Sequence, residues 1–399
     1  MFSRRQLIKM MASLPLAGGL GWLGKTSGTG QIRPIYNRNY FTELGLRPVI
    51  NGRGVVTTLT GSLMPPEVME AMNFASRQFV SLIDLNEKVG ERIAEMLNCE
   101  DAMVSAGAAS AIQLATAATV TGKDREKIRM IPNLPGPQRE VVMPKGHRIY
   151  EQQLTACGVK LVEVEGPQQM REAINENTVM AFYFNASPNQ SISREEFVSI
   201  GRQYNVPTFN DCASDVPPVR RLFEYIELGF DLVTFSGGKG IQGPQSAGLL
   251  FGRKDLIEAA RMNHSPYGSI GRGMKVNKEE ILGMMIALEI YLAKDHEKEW
   301  QEWERGAERI ASVVSTVPSV QTEKYVPEIA NHVPHLKITW DESVVGISPP
   351  EVVQQLRYGH PSIETLGGRE DIIYNMFMLK PEEVNIVAHR TKEILEQTV

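Results

Sequence analysis

The chain has 399 residues, of which 42% are hydrophobic and 22% are charged, and its formal net charge is −5. This length is ample for a large domain with its own core and a smaller second domain. The acidic balance argues against a broad nucleic-acid-binding surface. Three widely spaced cysteines, Cys99, Cys157 and Cys212, cannot form a disulfide framework and are expected to be mainly buried.

The N-terminus predicts a twin-arginine export signal and hence a periplasmic location. Arg4 and Arg5 precede a mostly apolar, glycine-containing run that ends at Gly24. The run is too short and too rich in glycine for a comfortable membrane span. We therefore expect residues 1–30 to be read by the twin-arginine export machinery. The segment is then either cleaved somewhere between residues 17 and 30 or retained as a membrane anchor.

Between residues 100 and 260, short runs of β-forming residues alternate with amphipathic helical stretches. Three predicted pairs of strand and helix are 140–143 with 148–157, 160–164 with 170–175, and 179–184 with 194–204. This alternation predicts an α/β fold with a largely parallel sheet covered by helices. In such sheets ligands bind beyond the carboxyl ends of the strands.

A turn of small residues, 105–110, joins the first predicted strand to an alanine-rich helix over 108–121. The backbone N–H groups of a helix start are free to bind a phosphate where side chains leave room. Gly107, Ala108 and Ala109 are therefore candidate phosphate-binding residues. The same alanines would also serve close packing of the helix on the sheet.

Lys239 is enclosed by glycines in the segment 235–240, between strand-like runs at 231–235 and 247–251. A lysine held in this way at a strand end is placed to reach a ligand. The arrangement suits a lysine that forms a Schiff base with pyridoxal 5'-phosphate (PLP), with Ser236 near the cofactor phosphate. A surface lysine in a turn between two strands is the alternative.

Asp211 lies upstream of Lys239 at the end of another strand-like run, and small residues follow it. PLP works as an electron sink only while its ring nitrogen stays protonated, and a buried carboxylate holds that proton. We assign this role to Asp211, since the order and spacing of the two residues strengthen both assignments. Asp215 is a competitor, but it lies beyond the strand, so we interpret it as a loop residue.

The rest of the chain predicts a smaller C-terminal α+β domain, reached through a long helical stretch over 279–314. The predicted organisation is a signal segment at 1–30, an N-terminal segment at 31–60 that packs on the small domain, a large PLP-binding domain at 61–300 and the small domain at 301–399.

The alanine-rich turn, Asp-x-Ala at 211–213 and Ser-Gly-Gly-Lys-Gly at 236–240 resemble, in this order, the fold-type I PLP-dependent enzymes. Within them, the segment 235–253 resembles the branch that holds seryl-tRNA selenium transferase (selenocysteine synthase) and the D-glucosaminate-6-phosphate ammonia-lyases. Supporting segments are 49–55, 90–94 and 271–279. The likeness extends over roughly residues 40–390 and implies the fold-type I transferase fold with PLP as the cofactor.

The resemblance also implies further site residues. In the family a histidine or aromatic ring stacks on the cofactor, and His147 occupies the corresponding strand–helix junction. Asn185 and Ser187 fall where the family approaches the cofactor's ring oxygen. Because these sites lie at dimer interfaces, the resemblance implies a homodimer or a higher homo-oligomer, in which Arg272 reaches a partner's cofactor phosphate. A helix cap for His147 and a surface arginine for Arg272 are the alternatives.

One departure from the family concerns the substrate carboxylate. Many relatives bind it with an arginine near the C-terminus, but the corresponding stretch 371–379 contains none. Either Arg369, just before this stretch, or Arg53, in the N-terminal segment, takes over that role, or the substrate lacks a conventional carboxylate anchor.

Other motif matches do not hold. The P-loop pattern at 19–26 lacks a preceding strand, and the dinucleotide pattern at 238–243 lacks the following helix. His332 and His335 have no acidic or cysteine partner close in sequence, so we predict no metal site.

The predicted function is a periplasmic PLP-dependent lyase that performs α,β-elimination on a small amino acid or amino sugar acid, with Lys239 as anchor and base. A racemase, an aldolase or an aminotransferase would use the same residues. A seryl-tRNA selenium transferase is opposed by the acidic charge and the export signal, so no nucleic-acid partner is expected. A PLP-fold binding protein without turnover is the third alternative.

Overall fold

The computed structural model describes residues 38–146, 150–187 and 190–397. The predicted export signal and His147 lie outside these ranges. The helices are α1 (Tyr40–Glu43), α2 (Pro66–Ser76), α3 (Leu82–Leu97), α4 (Gly107–Thr121), α5 (Arg125–Met130), α6 (Glu151–Thr155), α7 (Pro167–Ala173), α8 (Arg194–Gln203), α9 (Arg221–Leu228), α10 (Lys254–Met262), α11 (Lys278–Ala293), α12 (His296–Val314), α13 (Glu342–Val345), α14 (Pro349–Tyr358) and α15 (Pro381–Glu396). The strands are β1 (Val49–Asn51), β2 (Asp101–Ser105), β3 (Glu140–Pro144), β4 (Lys160–Val164), β5 (Thr178–Phe184), β6 (Thr208–Asp211), β7 (Leu232–Ser236), β8 (Gly248–Gly252), β9 (Gln321–Tyr325), β10 (His335–Thr339), β11 (Ser362–Glu364), β12 (Leu366–Gly367) and β13 (Ile372–Asn375).

The larger sheet has seven strands in the order β2-β8-β7-β6-β5-β3-β4. The pairs β7–β6, β6–β5, β5–β3 and β3–β4 are parallel, whereas β8 is antiparallel to both of its neighbours. The prediction of a largely parallel sheet is therefore confirmed. The single antiparallel strand follows the lysine loop, because a short connection from β7 can only reverse the chain direction.

Alternate side chains of each strand enter two different cores, one on each face of this sheet. In β2, Val104 belongs to one core and Met103 to the other, and in β3 the same alternation separates Val142 from Val141. Strands covered on both faces carry apolar residues at successive positions, as the sequence of this region does. The alanines of α4 are almost all buried, because small side chains let this helix lie close to the sheet.

A second, antiparallel sheet in the order β12-β13-β10-β9 lies in the C-terminal part. A third core, to which α12, α14 and α15 contribute, packs with this sheet. This arrangement is the smaller α+β part that the sequence predicts. The short strand β1 pairs in parallel with β11, which joins the N-terminal segment to the C-terminal one. The predicted boundaries at residues 60 and 300 stay predictions.

Two local predictions differ from the structure. The helical stretch expected over 279–314 is two helices, α11 and α12, because Asp295 caps the second by accepting a hydrogen bond from the backbone N–H of Lys298 at 3.0 Å. Such a cap stabilises a helix start by about 1 kcal/mol. Within the described part of the predicted helix 148–157, which starts at residue 150, helix α6 covers Glu151–Thr155. In the described ranges no helix is both long and apolar enough to cross a membrane.

Candidate active site

The carboxyl ends of the adjacent strands β5, β6 and β7 bring three predicted site residues to one edge of the large sheet. Asn185 follows β5, Asp211 ends β6, and Lys239 lies in the loop after β7. The backbone N–H of Asn185 donates to the carbonyl oxygen of Asp211 at 3.1 Å. This edge is where ligands bind in open α/β sheets.

The loop around Lys239 is folded so tightly that its flanking positions admit only glycine. A Cβ atom on Gly238 would lie 2.2 Å from the Cα of Gln245, and one on Gly240 would lie 2.0 Å from the carbonyl oxygen of Val216. The lysine is therefore held by backbone packing on both sides. Its Nζ donates a hydrogen bond to Ser214 Oγ at 2.6 Å.

Burial lowers the pKa of the Lys239 amine, although the negative charges of Asp211 and Asp215 oppose this shift. A lowered pKa increases the neutral fraction near pH 7, and only the neutral amine acts as a nucleophile or a base. The position and environment of Lys239 thus suit both roles that the sequence predicts for it.

Asp211 is 1% exposed, and its two carboxylate oxygens have different surroundings. Oδ1 accepts a hydrogen bond from the backbone N–H of Ala213 at 3.0 Å, whereas Oδ2 is buried without a hydrogen-bond partner. Burial raises the pKa of Asp211 to about 7, against the effects of the Ala213 N–H and the Lys239 charge. A buried acid with one free oxygen is suited to a cationic N–H donor such as a protonated pyridine ring.

The predicted phosphate turn follows β2, and one strand, β8, separates β2 from β7, after which Lys239 lies. Gly248 pairs with both Ser105 and Ser236, so the ends of β2 and β7 flank the start of β8. Gly107 has φ of +78°, a conformation that favours glycine. It begins α4, and the first-turn N–H groups, including those of Ala108 and Ala109, have no partners within the helix. The geometry fits a phosphate between this turn and Ser236.

The other residues predicted near the cofactor differ in their surroundings. Asn185 is 4% exposed, and its side chain contacts Asp215 and Tyr225. Ser187 lies against Gly146, and its hydroxyl is buried without a partner. Arg272 is exposed in the segment between α10 and α11 and has no described contact with the lysine loop. Its predicted role in a partner's site stays a prediction.

The two arginines considered for the substrate carboxylate are also in different surroundings. Arg369 is exposed between β12 and β13. Arg53 lies in a loop that is fixed by Asn51, whose Oδ1 accepts from the backbone N–H of Arg53 at 3.0 Å, and its own Nε is buried without a partner. This loop reaches the lysine region, because Val55 and Gly240 line the same small cavity. The role of either arginine at the substrate carboxylate stays a prediction.

Sequence reasoning missed several residues at this edge. Ser214 contacts the lysine amine directly, and its position three residues after Asp211 was the only available signal. Asp215 was interpreted as a loop residue, and it does follow the strand, but it is 1% exposed and bound to buried side chains. Tyr150 lies close enough to Asp211 for that negative charge, after burial, to raise the pKa of its phenol.

The described residues fit PLP. Lys239 can bond to its aldehyde, the free oxygen of Asp211 can accept from its ring N–H, and the turn at Gly107 can bind its phosphate. The fold and this site define a PLP-dependent enzyme of fold-type I.

The chain belongs to the L-seryl-tRNA selenium transferase (SelA) family, which matches residues 49–302. A D-glucosaminate-6-phosphate ammonia lyase of Salmonella typhimurium is 29% identical over 376 residues, which cover 90% of this chain and 98% of that protein. A 5'-C-glycyluridine monooxygenase-decarboxylase of Streptomyces sp is 30% identical over 339 residues, 81% of this chain and 83% of the relative. A solved structure of D-glucosaminate-6-phosphate ammonia-lyase has a TM-score of 0.81 and 27% identity, covering 91% of this chain and 99% of that chain.

Proposed function

We propose that this protein is a PLP-dependent ammonia lyase that acts by α,β-elimination on an amino sugar acid. The observation that carries the proposal is the partly buried Lys239 amine beside Ser214, together with a buried Asp211 that keeps one oxygen free. The choice of a lyase is supported by the Salmonella relative, whose name is an ammonia lyase and whose length the chain covers almost completely.

The chain's own residues supply the proton transfers and the binding. When bound, PLP supplies an electron sink for a carbanion at the substrate Cα. Lys239, whose amine pKa is lowered by burial, removes the proton from Cα. Asp211 keeps the proton on the cofactor's ring nitrogen, and Ser214 orients the lysine amine. The Cα proton and the β-hydroxyl leave together as one water. A second water then replaces the amino group, which gives a 2-oxo acid and ammonia.

The substrate is expected to be larger than a simple amino acid. The stretch 371–379 lacks an arginine, so the carboxylate of a simple amino acid such as serine would lack its usual bidentate partner there. A substrate with several hydroxyl groups gains binding that serine cannot, and positioning of this kind lowers the barrier by several kcal/mol.

The direct test is an assay of ammonia and 2-oxo acid release with D-glucosaminate 6-phosphate, D-glucosaminate and serine. We expect release from the sugar acids and little from serine. Exchange of the α-proton without ammonia would favour a racemase, and amino transfer to an added 2-oxo acid would favour an aminotransferase. Oxygen-dependent decarboxylation would place the protein with the Streptomyces relative, and a gel shift with seryl-tRNA would favour selenium transfer.

Arg53 is proposed to bind the substrate carboxylate, and its replacement by alanine tests this. We expect Arg53→Ala to lower kcat/KM by roughly 10- to 100-fold, the usual cost of losing a hydrogen bond to a charged group. Arg369→Ala is the matched control and should stay within about twofold, because exposed arginines contribute little. Equal effects of the two variants would contradict the assignment.

We also propose that the protein is a homodimer. Five large apolar side chains between residues 63 and 80 are exposed, and the most exposed of them are Phe79, which is fully exposed, and Phe74, at 63%. Monomers rarely leave such groups uncovered, so a second copy is the expected partner. In that dimer Arg272 is expected to reach the partner's cofactor phosphate. Light scattering should show a dimer for the wild type and a monomer for the double variant Phe74→Ser, Phe79→Ser; a monomeric wild type would reject the proposal.

Export to the periplasm is proposed from Arg4 and Arg5 in the N-terminal segment. Twin-arginine export carries folded proteins, so the cofactor would travel with its enzyme. Changing both arginines to lysine should leave the protein in the cytoplasm. Cell fractionation checks this, and unchanged distribution of the double variant would reject the proposal.

A further inference from the structure

The loop between β9 and β10, residues 326–334, belongs to the C-terminal part of the chain but reaches the edge of the large sheet where Lys239 lies. The backbone N–H of Asn331 donates a hydrogen bond to the carbonyl oxygen of Ser214 at 2.8 Å. Asn331 and Gly240, the residue after Lys239, also line the same small cavity. The loop therefore contacts the segment that carries Ser214, whose hydroxyl accepts a hydrogen bond from the Lys239 amine.

A second contact holds the same loop against the residue that follows Ser214. Arg221, which is 8% exposed, donates from one guanidinium nitrogen to the carbonyl oxygen of Asp215 at 3.2 Å and from another to the carbonyl oxygen of Glu328. Two successive carbonyl groups, those of Ser214 and Asp215, are therefore bound to the loop, one directly and one through Arg221. Bonded on both of these groups, the backbone of this segment is held in one arrangement.

The loop presents the Asn331 N–H in an unusual backbone conformation. Ala330 and Asn331 have φ of +56° and +49°, in the left-handed region that residues other than glycine rarely adopt. The loop stabilises this conformation itself, because the backbone N–H of Val333 donates to the carbonyl oxygen of Asn331 at 2.8 Å and Nδ1 of His332 donates to that of Pro327 at 2.7 Å. Asparagine tolerates left-handed backbone, whereas a β-branched residue does not. The residue type at position 331 thus affects the direction of its N–H.

Ser214 is the link between this loop and the reacting amine. Its backbone is bonded to Asn331, and its side chain is bonded to Lys239 Nζ at 2.6 Å. The amine lies at the end of a flexible four-carbon chain, so the glycines around Lys239 fix where the side chain begins but not where its nitrogen points. A hydroxyl on a fixed backbone restricts that nitrogen, and misplacing a reacting group by about 1 Å can cost roughly 100-fold in rate.

We propose that Asn331 is a positioning residue, whose backbone N–H holds Ser214 so that the Ser214 hydroxyl orients the Lys239 amine for reaction. Lys239 has a free amine both when it first bonds to the aldehyde of PLP and when it acts as a base, so the same contact serves both steps. For the second step the inference rests on the proposed function. For the first step it needs only the cofactor.

The first experiment uses the full chain without its cofactor and needs no substrate. PLP is added at saturating concentration, and absorbance gives the first-order rate constant for attachment, in which the amine forms a C=N bond and the aldehyde oxygen leaves as water. Rates are compared at the pH above which they no longer increase, so that differences in the neutral fraction of the amine do not enter. Borohydride reduction and peptide mapping check that the label is on Lys239.

Asn331→Val should lower this rate constant roughly 5- to 20-fold, because a β-branched residue disfavours the backbone that presents the N–H. Asn331→Gly keeps the conformation and the N–H and should stay within about twofold of the wild type. Ser319→Val is the matched control, since Ser319 also has positive φ, +64°, but is exposed and has no described contact with Ser214. It should also stay within about twofold of the wild type, as an exposed substitution usually does. No loss in Asn331→Val, or equal losses in Asn331→Val and Asn331→Gly, would overturn the proposal.

A double variant separates positioning from a general loss of structure. Ser214→Ala removes the hydroxyl and should lower the attachment rate about as much as Asn331→Val does. Adding Asn331→Val to Ser214→Ala should then cause no further loss, because the route from residue 331 through that hydroxyl is already absent. Multiplying losses would show that Asn331→Val disturbs the site by another route, and would overturn the proposal.

The second experiment tests the step in which Lys239 acts as a base, with D-glucosaminate 6-phosphate as the substrate. Asn331→Val should lower kcat by a similar factor and leave KM within about threefold, since the variant displaces the base and not the groups that bind the substrate. A raised KM with unchanged kcat would overturn the role in proton removal. A wild type that converts no sugar acid contradicts the proposed function instead, and the attachment rates still decide the positioning role.

Discussion

Replacing Lys239 by alanine is expected to abolish covalent attachment of PLP and to lower turnover by at least about 10³-fold, because the variant loses both the anchor and the base. The lysine is held between glycines whose neighbours leave no room for a Cβ atom, so its backbone position is fixed on both sides. Borohydride reduction followed by peptide mapping should find the pyridoxyl group on Lys239 in the wild type.

Two further variants make this test sharper. Lys239→Arg keeps a positive charge beside Ser214 but cannot form the bond, since a guanidinium does not lose its proton at working pH. We expect it to be as inactive as Lys239→Ala. Lys275→Ala removes an exposed lysine and should leave labelling and turnover unchanged. A pyridoxyl group on another lysine of the wild type would refute the assignment.

Replacing Asp211 by asparagine is expected to reduce turnover far more than it reduces cofactor binding. Breaking a buried ion pair costs about 3–5 kcal/mol, which corresponds to roughly 10²- to 10⁴-fold in rate if the cost falls on the transition state. The contacts of the phosphate turn at Gly107 are untouched, so PLP should remain bound. The measurements are cofactor content and kcat, with Asp255→Asn, an exposed acid paired with Arg253, as the control. Wild-type activity in Asp211→Asn would move the role to another acid, with Asp215 the next candidate.

The same carboxylate predicts how pH acts on the cofactor-free protein. Burial raises the pKa of Asp211 in the folded chain to about 7, above the value of about 4 for an unfolded aspartate. The unfolded chain therefore binds fewer protons between these pH values, and this residue's contribution to the free energy of unfolding falls as pH rises from about 4 to 7. In Asp211→Asn, the free energy of unfolding should not show this decrease between about pH 4 and pH 7, because asparagine does not titrate. Denaturation at pH 5 and pH 8 checks it, and an equal pH dependence in both proteins would contradict it.

The sequence by itself determined the class of this protein, because its signals are local. Glycines on both sides of Lys239 are needed wherever backbone passes close to backbone, and they are visible without a structure. An acid at a strand end and a turn of small residues at a helix start are local as well. The alternation of apolar strands with amphipathic helices places all three at one edge of a parallel sheet. The lysine, the acid and the turn were therefore predictable, and so was the sheet.

Only the tertiary structure decided which side chains complete the site. Asn185, Asp215 and Tyr225 come from the end of β5, the loop after β6 and helix α9, and nothing in their spacing predicts a closed ring of hydrogen bonds. From sequence, Asp215 is interpreted as a loop residue because it lies beyond the strand, and loop residues are usually on the surface. Asp215 becomes buried only when the chain packs, and the same packing brings its hydrogen-bond donors from other elements. The side chains that contact Asn185 are therefore decided by tertiary packing, since hydrogen bonds between distant parts of the chain depend on distances that only the fold sets.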